Sequence, residues 1–260
     1  MNVKFYKYQG TGNDFIMIDN RSGVYNFIDT KEISFLCDRR FGVGADGLIK
    51  LNQKEGYNFE MDYYNSDGSK SFCGNGARCT VAFANFLGID TTNSYFLGID
   101  GAHVASYNNG YVTLDMSDVK SVSTFGQDYL VNTGSPHYIQ FIENIDQFDV
   151  FSHGKLIRNS DLFKVEGVNV NFVTEIGRLS IYVRTYERGV EDETLSCGTG
   201  VTGAAICYAI RNNLFGSQTI RIKTLGGGLI VRFDRISDTE FVEVRLEGSA
   251  IGVYKGEINV

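Results

Sequence analysis

Two cysteines of this 260-residue chain stand in the same short phrase, Cys73-Gly74-Asn75-Gly76 and Cys197-Gly198-Thr199-Gly200. Each phrase runs into an apolar stretch of helical length, Ala77 to Leu87 and Val201 to Ile210. A helix N-terminus presents unpaired amide N–H groups and the positive end of the helix dipole, and glycine there lets an anion come close to the backbone. A cysteine in that field has its thiolate stabilised, which brings its pKa toward neutrality and equips it to exchange protons. One such phrase makes a nucleophile. Two of them, on opposite sides of one carbon, would invert a stereocentre. One thiolate takes the α-proton, helix-end amides hold the carboxylate as charge builds on it, and the other thiol returns a proton to the opposite face.

The other cysteines, Cys37, Cys79 and Cys207, read as packing residues, the last two because they fall inside the apolar stretches. Five cysteines form an odd set without CxxC spacing, so thiols are expected rather than a disulfide scaffold. His103, His137 and His153 add no paired zinc-ligand spacing. There is no pyridoxal-phosphate lysine motif, and the glycine-rich phrases lack the Lys-Ser/Thr of a P-loop. The expected chemistry therefore uses no metal and no cofactor.

The elements that must position these thiols are mostly strands. Leu179, Ile181 and Val183 alternate with polar residues, as do Val242, Val244 and Leu246, and that period of two marks half-buried strands. Ile220 to Lys223 and Leu229 to Phe233 flank Gly226-Gly227-Gly228 and read as a hairpin. The two cysteine-led stretches are apolar nearly all round, so each is expected to be a helix buried on most sides. An acidic stretch precedes both, Asp67 in the first and Asp192-Glu193 in the second, which makes the pattern an internal repeat. The predicted fold is α+β, with two pseudo-symmetric domains, each a mostly antiparallel β-sheet or barrel closed around a central buried helix. The expected domains are 1–117, joined by 250–260, and 118–249, divided in the polar stretch from Asp118 to Asp128. A pseudo-twofold axis would bring the two cysteine phrases face to face in an interdomain cleft.

A chain with 43% hydrophobic residues, thirty glycines and a single proline has the makings of a globular enzyme and shows no low-complexity linker. Its net charge of -7 argues against nucleic acid or an anionic membrane surface as partner and favours a small molecule. The segment MNVKFYKYQG lacks the apolar run of a signal peptide, and no stretch is long enough to cross a bilayer, so a cytoplasmic location is expected.

The motifs Gly10-Thr11-Gly12-Asn13-Asp14-Phe15, Asn65-Ser66-Asp67-Gly68-Ser69, Cys73 to Cys79, Tyr186-Glu187-Arg188-Gly189 and Ser196 to Gly200 together resemble the diaminopimelate epimerase family. The resemblance implies cofactor-independent interconversion of LL- and meso-2,6-diaminopimelate, in the lysine and cell-wall precursor pathway, with an amino acid as the small-molecule partner. It implies Cys73 and Cys197 as the catalytic pair, with Gly74, Asn75, Gly198 and Thr199 holding the reacting carboxylate. Asn13, Asn65, Asn169, Glu187 and Arg188 match positions that bind the rest of the substrate, and His137 and Glu187 match positions beside the thiols. The sequence departs from the family pattern at Gly47, where many members have glutamine, and at Ser135, where many have asparagine. Gly189 to Cys197 is one residue longer than usual. A homodimer is among the assemblies to test. Two other readings stay open: a proline or hydroxyproline racemase-like enzyme, against which Arg188 argues because proline has no second carboxylate, and a non-catalytic redox-responsive thiol protein.

Overall fold

The computed structural model describes residues 1–260, which fold as two units, Met1–Leu114 with Gly248–Val260 and Asp115–Glu247. No helix is long and apolar enough to cross a membrane.

In the first unit β1 (Asn2–Gly10) and β2 (Asn13–Asp19) form a hairpin in which Gly10 pairs with Asn13. Thr11 and Gly12 between them have φ of 50° and 87°. Left-handed geometry at both central residues is what a type I′ turn demands, and it places Asn13 at the head of β2. β2 runs parallel to β3 (Gly47–Asn52), so the connection must cross over, and α1 (Thr30–Cys37) lies within it. Asp29 and Glu32 start α1 with a reciprocal capping box. β3 pairs antiparallel with β4 (Phe59–Asn65), and β4 pairs parallel with β5 (Ser94–Gly98) across α2 (Gly74–Phe86). β6 (Gly101–Asn108) and β7 (Tyr111–Asp115) continue as a meander, and β17 (Ile251–Asn259) returns to pair beside β1.

The second unit repeats this order. β8 (Val122–Phe125), β9 (Asp128–Asn132) and β10 (Pro136–Phe141) are antiparallel neighbours, and β10 runs parallel to β11 (Asn169–Gly177) across α3 (Val150–Arg158). β11 pairs antiparallel with β12 (Ser180–Glu187), which carries the short β13 (Asp192–Thr194) on one stretch. Across α4 (Gly198–Arg211), β12 runs parallel to β14 (Gly216–Thr224), which forms the expected hairpin with β15 (Gly227–Arg235). β16 (Phe241–Ser249) follows. The pairings from β1 through β6 thus match those from β9 through β15: antiparallel, parallel, antiparallel, parallel, antiparallel. In both units the helix after a cysteine occupies the second crossover. The architecture is the α+β, β-rich one anticipated, with parallel pairs only where a helix intervenes.

Both central helices begin earlier than their apolar runs. Gly74 and Gly198 are already helical, so Gly-x-Gly forms the first turn and the cysteine is the N-cap. Glycine is needed there for close packing. A Cβ on Gly76 would lie 3.1 Å from Ile49 Cδ1, and one on Gly200 would lie 2.3 Å from Asn171 Oδ1. Residues from Asn75 to Ala84 are all buried, and α2 is flanked by β1, β2, β3, β4, β6 and β17. Helix α4 is flanked likewise by β9, β10, β11, β12, β14 and β15, and buries Val201, Ile206 and Cys207 completely. Each large apolar side chain so placed contributes about 1.5–3 kcal/mol through removal from water.

Two strand readings shift by a residue. Leu179 sits in the turn before β12 with φ 54°, and Glu243 at φ 53° interrupts the alternation of β16. Phe241 is consequently the fully buried residue there, while Val242 is half-buried.

Candidate active site

The first candidate cluster is built on the N-terminus of α2. Cys73 has extended backbone, as an N-cap requires, and its Sγ accepts the Gly76 N–H at 3.5 Å. The same sulfur lies 3.4 Å from Asn13 Oδ1, which also accepts from Asn75 Nδ2 at 3.4 Å. Asn13, Cys73, Gly74 and Asn75 therefore form one cluster, assembled from the β1–β2 turn and the helix end. Asn65, at the end of β4, sits in its own polar set: its Oδ1 accepts from Tyr63 Oη at 3.0 Å and Ser71 Oγ at 3.2 Å, and its Nδ2 donates to Ser69 Oγ at 3.0 Å.

Behind Asn13 stands a chain of charges. Asn13 Nδ2 donates to Asp46 Oδ2 at 2.5 Å, Asp46 Oδ1 pairs with Arg39 at 2.7 Å, and Arg39 and Lys7 both grip Asp14 at 2.7 Å. Burial works to raise the Asp14 pKa, but hydrogen bonds from Arg39 and Lys7 outweigh it and hold the carboxyl well below the usual range. On the inner side of α2, Arg78 is wholly buried and donates through Nη2 to Thr11 Oγ1 at 3.0 Å, while Nε and Nη1 find no acceptor. Burial pushes its neighbour Cys79 up to about 12, which leaves that thiol inert at neutral pH.

The second candidate cluster surrounds the N-terminus of α4. Cys197 is again an extended N-cap, with Sγ 3.6 Å from Thr199 Oγ1. Thr199 Oγ1 in turn lies 2.9 Å from His137 Nε2, and the Thr199 carbonyl accepts from Thr133 Oγ1 at 2.8 Å. The tautomer of His137 follows from its other neighbour. Asn171 Nδ2 faces the backbone carbonyls of Tyr138 and Asn169, so that nitrogen is the donor, and it lies 3.1 Å from His137 Nδ1. Nδ1 therefore accepts, Nε2 carries the hydrogen, and it donates to Thr199 Oγ1, which leaves the Thr199 hydroxyl hydrogen free to turn toward Cys197.

Asn169 links strand and loop: Nδ2 donates to Ser135 Oγ at 2.8 Å and Oδ1 accepts the Arg188 backbone N–H at 2.9 Å. Arg188 makes no ion pair with Glu187. Its Nη1 donates to the Glu166 carbonyl at 2.7 Å, and the residue is exposed. The Glu187 carboxylate accepts from Thr194 Oγ1 at 3.0 Å, and burial raises its pKa against that bond.

His137 is only 1% exposed, and burial first, then the charge of Arg188, lowers its pKa from 6.5 to about 3. Between those values the unfolded chain binds a proton that the folded chain does not. The stability His137 confers is thus complete above pH 6.5 and is lost as pH falls toward 3. The slope it adds is at most about 1.4 kcal/mol per pH unit. His137→Gln should flatten the acid limb of stability, measured by urea unfolding at several pH values; identical limbs would mean that the folded protein protonates this ring freely.

Comparison with known proteins adds a second line. The model of the family described as diaminopimelate epimerase matches residues 5–121 and 129–249. The chain belongs to the diaminopimelate epimerase family. Among curated relatives, the diaminopimelate epimerase of Flavobacterium psychrophilum is 48% identical over 258 residues, covering 98% of this chain and all of that one. That of Chlorobaculum tepidum is 41% identical, covering 96% and 99%. A Bacillus anthracis phenazine biosynthesis protein of the PhzF family superposes with a TM-score of 0.80 at 11% identity over the full length of both chains. A hydroxyproline epimerase from Agrobacterium vitis does so with 0.68 at 13%, covering 99% and 91%. These last two share the fold. The diaminopimelate epimerase family is a family of isomerases, and this chain is one of them.

Against the diaminopimelate epimerase pattern, the departures have local structural reasons. A Cβ on Gly47 would lie 2.5 Å from both Tyr63 Cε2 and the Tyr64 carbonyl, so the Tyr63 ring fills the space a longer side chain would enter. Ser135 keeps a polar contact through Asn169. In the longer loop Glu191 adopts φ 58°, and its carboxylate accepts from Gly189 N and Tyr186 Oη and pairs with Arg158. Asp46, Thr133 and Asn171 are site neighbours that the sequence reading passed over. Only Asn171 left a trace, since it follows Asn169 at the strand period.

Proposed function

We propose that this protein epimerises LL-2,6-diaminopimelate to the meso isomer without a cofactor, in the supply of lysine and peptidoglycan precursors in the cytoplasm. The observation that carries the reading is the repetition of one device, a cysteine capping a glycine-opened helix, in two halves with the same strand pairing. In the proposed step a thiolate takes the α-proton. The Cα–H bond breaks, an S–H bond forms, and the electron pair moves onto the substrate carboxylate, where helix-end N–H groups from Gly74-Asn75 and Gly198-Thr199 stabilise it. The opposite thiol then protonates Cα from the other face and is left as thiolate. Asn13, Asn65, Asn169, Glu187 and Arg188 are assigned to the rest of the substrate, with Arg188 taking the distal carboxylate and His137 acting on Cys197 through Thr199. Identity to curated diaminopimelate epimerases over nearly the whole chain supports the substrate. The test is direct: purified, reduced protein incubated with the LL isomer should yield meso-diaminopimelate, resolved by chiral chromatography. Absence of inversion there, with or without inversion of proline, would refute it.

A further inference from the structure

Asp46 lies outside the set of residues assigned above, yet it touches Asn13 directly. Its Oδ2 takes the Asn13 Nδ2 hydrogen at 2.5 Å and the Asp14 N–H at 3.1 Å, while its Oδ1 is held by Arg39. A carboxylate only accepts hydrogen bonds, so it can face only the NH₂ end of an amide. The carbonyl end of Asn13 must then point the other way, where Cys73 Sγ and Asn75 Nδ2 both stand at 3.4 Å. A carbonyl oxygen beside a sulfur accepts from a thiol and repels a thiolate.

We propose that Asp46 is a positioning residue that locks the Asn13 amide with its carbonyl toward Cys73, and so holds the proton on that sulfur in the resting protein. The Gly76 N–H at 3.5 Å pulls the same sulfur toward its thiolate, and the Asn13 carbonyl opposes that pull. At the other cysteine the polarity can reverse, because Thr199 Oγ1 accepts from His137 and has its own hydroxyl hydrogen to offer Cys197. The Asn13 carbonyl thus favours the thiol form of Cys73 against the pull of the Gly76 N–H and of the buried Arg78 charge, whereas a Thr199 hydroxyl turned toward Cys197 favours the thiolate form there. This assignment rests on the two-thiol reading of the proposed function. The other charged or titratable groups on elements packed around the N-terminus of α2 include Arg78 and Cys79 on the helix, Lys7 and Tyr8 on β1, Asp14 on β2, Arg39 behind Asp46, Tyr63 on β4, and His103 on β6, which stacks on Phe72.

The test follows alkylation of Cys73 by iodoacetamide as a function of pH, read peptide by peptide by mass spectrometry on the intact protein without substrate. Asp46 is 43% exposed at its side chain, and Asp46→Asn keeps its shape, so the fold should survive. An Asn at 46 presents either end to Asn13 and no longer dictates its orientation. The expected result is a fall of about one unit in the alkylation midpoint, or about tenfold faster reaction at neutral pH. Asn13→Ala should produce a similar shift. Loss of the Asp46 charge could by itself favour a thiolate, and the double variant separates that effect: acting through Asn13, Asp46→Asn adds nothing once Asn13 is alanine. An unchanged midpoint in Asp46→Asn, or a full further shift in the Asn13→Ala background, would overturn the proposal while leaving wild-type inversion of the LL isomer intact. A wild-type protein that does not invert that isomer would instead overturn the reading beneath it.

Discussion

Replacing either Cys73 or Cys197 by alanine should lower kcat/KM for inversion of LL-diaminopimelate by about 10³-fold or more, because each change removes proton transfer on one face. Cys37→Ala should leave the chemistry intact. Cys37 lies on α1 within an apolar cluster with Ile33 and Leu36, and burial pushes its thiol up to about 12. Cys73 and Cys197 differ from it in position: both are N-caps at the mouth of a helix rather than side chains in its body. Heavy water sharpens the test. With separate thiols on the two faces, the proton removed is not the proton delivered, so the meso product should carry solvent deuterium from its first appearance while unreacted substrate stays protiated. Mass spectrometry of both isomers at low conversion reads this. Robust inversion by either alanine variant, or substantial original hydrogen at the inverted carbon, would sink the two-thiol mechanism.

The cysteine phrases were legible because everything that makes them work is local. A cap, a glycine-opened turn and an apolar helix are contiguous in sequence, and their repetition is visible without a fold. The start of each helix was not, since Gly74 and Gly198 have low helical propensity and yet are already helical. The parallel pairs β2–β3 and β10–β11 were equally hidden. Alternation gives a strand and its buried face, but not the direction of a neighbour reached after a helical crossover. Of the candidate site, the residues beside a cysteine could be read from local pattern, while Asn13, Asn65, Asn169 and His137 came only through the family resemblance. Asn75 and Thr199 come with the phrase, whereas Asp46 acts on Asn13 from across a crossover, and His137 meets Asn171 only because β10 and β11 pair.

Arg188→Lys should lower kcat/KM for diaminopimelate by about 10- to 100-fold, the cost of one charged hydrogen bond at about 1.5–3 kcal/mol. The arginine is positioned with care. Its backbone is tied to Asn169, its Nη1 to the Glu166 carbonyl, and its stem lies over Gly167, where a Cβ would come within 2.4 Å of Arg188 Cδ. Gly167 also has φ 77°, so both its conformation and its missing side chain make room for this stem. The guanidinium makes no ion pair within the protein, and under the proposed function its other N–H groups meet a planar carboxylate at two points. A lysine of similar charge offers one compact ammonium and cannot grip both oxygens in that geometry. The loss should appear mainly in KM, with urea stability close to wild type because the residue is exposed. Near wild-type kcat/KM in the lysine variant would remove Arg188 from the substrate site and with it the chief reason to prefer a dicarboxylate over proline.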